Sequence, residues 1–207
     1  MTLDEALARS PIVAILRGVR PEEVLDIAEA LFGAGVLAVE VPLNSPEPFE
    51  SVRRLAEAFG TRMACGSGTV LNAADVEQSA EAGARLIVAP NTDTAVIRRA
   101  VELGLDPAPG FATASEAFAA IGAGARHLKL FPAATYGPGH LRQLKAVLPP
   151  DVVVWAVGGV GAGDLKPWWD AGARGFGIGS EIYKPGQTAA ETAAKAAALV
   201  DAARALS

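Results

Sequence analysis

Gly122-Ala123-Gly124-Ala125-Arg126-His127-Leu128-Lys129-Leu130-Phe131-Pro132 holds a helix end, a turn and a strand. The preceding stretch, Ala114 to Ala123, carries a helical pattern. Glycine just after such a pattern suits the left-handed C-cap through which a chain leaves a helix. His127 to Phe131 is a short apolar run stopped by a proline, which reads as a strand. The same ending recurs at Gly33-Ala34-Gly35, Ala82-Gly83-Ala84 and Ala171-Gly172-Ala173. The chain therefore repeats a strand–helix module with short returns.

Working outward, strands are expected at Pro11–Leu16, Val36–Val41, Arg62–Cys65, Arg85–Ala89, Leu105–Ala108, His127–Phe131, Val152–Val157 and Gly175–Ile178. Helices are expected between and after them, at Pro21–Phe32, Pro46–Phe59, Ala73–Ala82, Thr92–Leu103, Ala114–Ala123, Gly139–Leu148, Asp164–Ala171 and Thr188–Ala205. Eight such units in 207 residues predict an α/β fold, a single-domain (β/α)8 TIM barrel spanning 1–207. An open doubly wound sheet is the competing architecture. It expects a glycine-rich turn after the first strand, where this chain has Arg17-Gly18-Val19-Arg20-Pro21.

Composition agrees with a packed domain: 51% of residues are hydrophobic and 20% charged. The net charge is -5 and no basic tract occurs, so nucleic acid is not an expected partner. The single cysteine, Cys65, excludes an internal disulfide and reads as a small buried residue. Met1–Glu5 has neither the basic nor the apolar region of a signal peptide, and no apolar run of about 18 residues occurs. The expectation is a cytoplasmic protein without membrane contact.

Barrel chemistry sits at the C-terminal ends of strands. Lys129 interrupts its strand, with Leu128 and Leu130 on the opposite face. It is either a strand-edge lysine whose ammonium reaches water, or a desolvated amine with a lowered pKa, able to attack a ketone. Glu40 interrupts Val36–Val41 in the same way. Leu37, Val39 and Val41 should face the helices, which turns Ala38 and Glu40 into the barrel. The second and sixth strands share parity, so Glu40 and Lys129 can meet across it. A structural ion pair there would be costly to desolvate and would add little stability. An imine on Lys129 would act as an electron sink for C–C cleavage, with Glu40 as general acid/base. No metal or other cofactor is expected: His127 and His140 are too few and too scattered for a ligand set, and His127 reads as structural.

Two glycine turns, Val157-Gly158-Gly159-Val160 and Ile178-Gly179-Ser180, end the last two strands. Free backbone N–H groups there can cradle a phosphate, with the Ser180 hydroxyl as a further donor, unless these are simply close-packed turns. Arg17 and Thr69 are candidates to hold a carboxylate near the imine carbon, though Arg17 also fits a surface role.

These residues carry a resemblance. Val39-Glu40-Val41-Pro42-Leu43-Asn44-Ser45, Gly66-Ser67-Gly68-Thr69-Val70-Leu71, Leu128-Lys129-Leu130-Phe131-Pro132-Ala133 and Val157-Gly158-Gly159-Val160, in this order, resemble the 2-keto-3-deoxy-6-phosphogluconate aldolase family. That family includes 4-hydroxy-2-oxoglutarate and 2-keto-3-deoxy-6-phosphogalactonate aldolases. The resemblance runs from Pro11 to about Gln187. It implies a class I aldolase that reversibly yields pyruvate and D-glyceraldehyde 3-phosphate, with pyruvate and glyoxylate from 4-hydroxy-2-oxoglutarate as a further reaction. It implies Lys129 as the Schiff-base lysine and Glu40 as the acid/base. Arg17, Thr69, Pro90 and Phe131 would surround the pyruvyl half, with Val157 beside the substrate. Gly158, Gly159, Gly179 and Ser180 would surround the phosphate. It also implies a homotrimer whose partners are a phosphorylated keto acid and pyruvate.

The gluconate-type pattern has arginine where this chain has Asn44, and threonine where it has Val157. Ala14–Gly18, Pro42–Pro46, Pro90-Asn91 and Ala156–Gly159 look more like the galactonate type. Those substrates differ in configuration at C4, so one polar-to-apolar exchange beside the sugar can shift preference. Two other functions share part of this constellation. A sugar-phosphate isomerase or epimerase would keep the phosphate turns without needing Lys129. A non-catalytic binding module would need neither buried group.

Overall fold

The computed structural model describes residues 1–206. Nine parallel strands form one sheet: β1 (Ile12–Ile15), β2 (Ala38–Pro42), β3 (Ala64–Gly68), β4 (Leu86–Val88), β5 (Asp106–Ala108), β6 (Gly110–Phe111), β7 (His127–Leu130), β8 (Val153–Val157) and β9 (Gly175–Ile178). Their order is β5-β4-β3-β2-β1-β9-β8-β7-β6. The helices are α1 (Leu3–Arg9), α2 (Val24–Gly33), α3 (Pro48–Phe59), α4 (Ala73–Glu81), α5 (Thr94–Glu102), α6 (Ala114–Gly122), α7 (Ala133–Lys145), α8 (Leu165–Asp170) and α9 (Ala189–Arg204).

The ninth strand does not add a stave. β5 and β6 are halves of one, broken at Pro109, which has no N–H to give to a ladder. The first half pairs with β4 and the second with β7. The Pro109 carbonyl accepts from Lys129 N at 2.8 Å, so the seam closes at the residue of greatest chemical interest. The eight-unit barrel read from the sequence is thus the fold, with its fifth strand split.

Alternation sorts the strands as expected. Val39, Val41, Leu128 and Leu130 join the apolar layer between barrel and helices. Val13, Ala38, Ala64, Leu86, Val88, Ala108, Trp155 and Val157 fill the interior. Leu37 is an exception to the outward face expected of it. It precedes β2, lies outside its alternation, and packs with the interior cluster. Cys65 is buried in the outer layer, and desolvation pushes its thiol up to about 12. Trp168 is buried in the same layer, and the Arg174 guanidinium covers the Trp169 ring at 4.4 Å, so this pair serves outer packing.

Helix α1 was not expected, although its signature is present. Thr2 Oγ1 accepts from Glu5 N at 3.2 Å and the Glu5 carboxylate accepts from Thr2 N at 2.8 Å, a capping box. Leu3 and Ala6 bury against the interior cluster and plug the N-terminal end of the barrel. His127 Nε2 lies 2.9 Å from Asp4 Oδ1, tying plug to barrel and giving His127 its structural role.

Several boundaries differ from expectation, by more than two residues in three elements. β3 runs through Gly66-Ser67-Gly68, glycines that suggest a turn by propensity but pair with β2 along their length. Helix α7 starts at Ala133 rather than Gly139 and is interrupted at Gly137 (φ 76°, ψ 164°), immediately before Pro138. Helix α2 starts at Val24 rather than Pro21. The glycine C-caps hold: Gly124 and Gly172 adopt φ of 109° and 106°.

Candidate active site

Lys129 lies on β7 with 6% of its surface exposed, and Glu40 on β2 with 3%. Both point into the barrel, as alternation requires. Burial dominates both. It pushes the Glu40 carboxyl up to about 7, against the opposing pull of Lys129 and Arg17. It pushes the Lys129 ammonium down to about 8, with Glu40 opposing and Arg17 assisting. Among the described residues no direct ion pair joins the two; they act on each other through the field. Glu40 Oε2 has no hydrogen-bond partner among the described residues. The Lys129 Nζ sits 5.0 Å from the centre of the Phe131 ring.

A free amine near neutrality, beside a carboxyl that titrates near neutrality, is what imine chemistry requires. A lysine at about 8 has a substantial neutral fraction at physiological pH, which an exposed lysine lacks. The surface reading of Lys129 does not hold.

A cavity of about 620 Å³ opens at the C-terminal ends of β1, β7, β8 and β9; Lys129 and Glu40 are not on its wall, and Phe131, whose ring neighbours the Lys129 ammonium, is. Arg17, Phe131, Val157, Gly158, Gly159, Gly179 and Ser180 all line it. Thr69 and Pro90 follow β3 and β4 and are not on its wall. Phe131 is 37% exposed, large for an aromatic ring at the end of a buried strand. Val157 is buried, its methyls against the bare Gly177, where a Cβ would come within 2.7 Å of Val157 Cγ2. The Gly158, Gly159, Gly179 and Ser180 amides donate to no protein acceptor among the described residues, and all four residues line the cavity. Gly158 and Gly159 are also closely packed turns: a Cβ on Gly159 would come within 2.6 Å of Ala134 Cβ, and one on Gly158 within 3.3 Å of the Phe131 ring.

Thr69 adopts φ 57°. A β-branched residue in the left-handed region is a true outlier, with a cost of about 1–3 kcal/mol. Such strain concentrates where a side chain must be aimed.

Sequence reasoning missed how Arg17 is held. Its Nη1 donates to Asn44 Oδ1 at 2.5 Å, and the following amide, Gly18 N, donates to Ser45 Oγ at 2.9 Å. The loop after β2 thus grips the loop after β1. A hydrogen bond across 27 residues leaves no local signal, although Asn44 had already stood out as a departure from the gluconate-type pattern. Lys184 also lines the cavity, on the same wall as Ser180 and Tyr183.

Comparison with known proteins gives a consistent picture. The family model described as KDPG and KHG aldolase matches residues 3–199. The 2-dehydro-3-deoxy-6-phosphogalactonate aldolase of Escherichia coli (strain K12) is 48% identical over 194 residues, 94% of this chain and 95% of that protein. A solved structure described as native KDPGal superposes with a TM-score of 0.93 at 48% identity, covering 95% of each chain. The KDPG aldolase of Legionella pneumophila, with pyruvate captured at low pH as a covalent carbinolamine intermediate, superposes with a TM-score of 0.82 at 26% identity, covering 98% of this chain and 96% of that one.

Proposed function

The chain belongs to the KDPG and KHG aldolase family, and from that premise we propose that Lys129 and Glu40 carry out its aldol chemistry, with the galactonate epimer as the preferred substrate. The enzyme is a class I aldolase acting on 2-keto-3-deoxy-6-phospho sugar acids. The observation that carries the residue assignment is the joint burial, inside one barrel, of a lysine and a carboxyl whose pKa values converge toward neutrality, the lysine beside Phe131 on the wall of the cavity.

The steps follow from that geometry. Neutral Lys129 attacks the C2 carbonyl, and the carbinolamine loses water to a protonated imine. Glu40 takes the proton from the C4 hydroxyl. The C3–C4 electron pair moves toward the iminium nitrogen, leaving an enamine, and D-glyceraldehyde 3-phosphate departs. The enamine takes a proton at C3, and water releases pyruvate from Lys129. Arg17 and Thr69 hold the substrate carboxylate, with Pro90 and Phe131 walling the pyruvyl half. The Gly158, Gly159, Gly179 and Ser180 groups hold the phosphate. Incubation with pyruvate and borohydride, followed by peptide mass mapping, tests the assignment. An adduct on Lys129 is expected. An adduct on any other lysine, or none in folded protein, would overturn it.

Epimer preference is assigned to Val157. It presents methyls where the gluconate-type pattern presents a hydroxyl, and a substrate hydroxyl without a partner loses roughly 1–3 kcal/mol. Val157→Thr is nearly isosteric and is expected to shift the ratio of kcat/KM values toward the gluconate epimer by about 10-fold. Competition of the two C4 epimers measures it, and an unchanged ratio counts against the assignment.

We further take residues 1–207 as one domain that assembles as a homotrimer and works in the cytoplasm. No helix among the described residues is long and apolar enough to cross a membrane.

A further inference from the structure

We propose that Gly68 is a positioning residue for the chemistry: the absent side chain at 68 is the slot in which the Glu40 carboxylate lies, and it aims that group at the C-terminal mouth of the barrel. This rests on the acid/base reading of Glu40.

Glu40 pairs in register with Gly66, and Gly68 lies two residues further along β3 on the same face. A Cβ built on Gly68 would stand 1.7 Å from Glu40 Oε2, 2.3 Å from its Cδ and 2.6 Å from Oε1. These are the three atoms nearest to it, and all belong to Glu40. The carboxylate therefore leans diagonally over Gly68, toward the end of the barrel where the cavity opens. Gly68 is not among the glycines of positive φ, so the left-handed strain that reserves a position for glycine is absent there, and the clash a methyl group would meet first is with Glu40.

The neighbouring glycine has a different reason. A Cβ on Gly66 would meet the Leu86 backbone carbonyl at 2.0 Å, so that glycine serves the approach of β3 to β4. The two glycines of Gly66-Ser67-Gly68 thus divide between fold and site. The dependence of Glu40 on its slot is strengthened by Oε2 having no hydrogen-bond partner among the described residues. No donor would hold the oxygen in place if a methyl group displaced it.

The test uses the full chain and pyruvate in D2O, where exchange at C3 reads proton transfer without C–C cleavage. Gly68→Ala is expected to slow exchange and cleavage on the order of 100-fold, the cost of misplacing a catalytic group by about 1 Å. Borohydride trapping of pyruvate on Lys129 should still saturate, and KM should change little. Wild-type exchange with an unchanged pH profile in Gly68→Ala would overturn the proposal. Glu40→Gln separates it from the reading beneath: wild-type exchange in that variant removes the acid/base role itself. Thermal unfolding supplies a readout if Gly68→Ala is too unstable to assay. In a Glu40→Ala background the penalty of Gly68→Ala should largely vanish, because the clashing atoms are gone. An equal penalty in both backgrounds would show that the slot belongs to something other than Glu40.

Discussion

Lys129→Ala is expected to lower aldol cleavage by at least about 10⁴-fold, because it deletes the nucleophile rather than weakening a contact. Without an amine there is no imine, and without an imine the C3–C4 electron pair has no low-energy acceptor. Substrate binding should survive, since the cavity wall, with Gly158, Gly159, Gly179 and Ser180 proposed to hold the phosphate, is untouched. The fold should survive as well. Leu128 and Leu130, which bind β7 to the helix layer, remain, and the ladder bond from residue 129 to Pro109 uses only backbone. Glu40 loses the ammonium that holds its carboxyl down, so its titration should move above about 7. Steady-state cleavage with circular dichroism checks this prediction. Turnover close to wild type in a folded variant would sink the imine mechanism at Lys129.

Glu40→Gln is expected to reduce kcat by about 10²–10⁴-fold, the usual worth of a positioned general acid/base. Its effect on pH dependence is more diagnostic than its size. In the wild type the rate should rise with pH through about 7, as Glu40 ionises, and through about 8, as Lys129 loses its proton. These steps belong to the pair, because each charge stabilises the other. Glutamine removes the only influence that raises the Lys129 pKa; burial and Arg17, which both lower it, remain. The midpoint for borohydride trapping should therefore fall below about 8 while cleavage slows. A midpoint that stays or rises would mean that the two groups do not share a field.

The reading of Lys129 and Glu40 needed little beyond strand alternation. An ionic residue flanked by Leu128 and Leu130, or by Val39 and Val41, must face away from the helix layer, and both do. The strand–helix alternation and the glycine C-caps were equally local, and so were legible. The failures share a cause. Gly66 and Gly68 suggested a turn because a glycine's propensity says nothing of what approaches it. Pro109 split a strand because its missing N–H matters only where two neighbours compete for one stave. Helix α1 carried a readable capping box, but that it plugs the barrel depends on packing against strands that lie far along the chain.

The sequence by itself determined the alternation of elements, the inward direction of the two ionic side chains and the glycine turns at the cavity mouth, since each depends on residues a few positions apart. Tertiary structure alone decided that Asn44 would hold Arg17, that the two glycine turns would line one cavity, and that the bare face of Gly68 would receive Glu40. Those are meetings of distant segments. A local pattern states which way a side chain points, and only the closed barrel states what lies opposite.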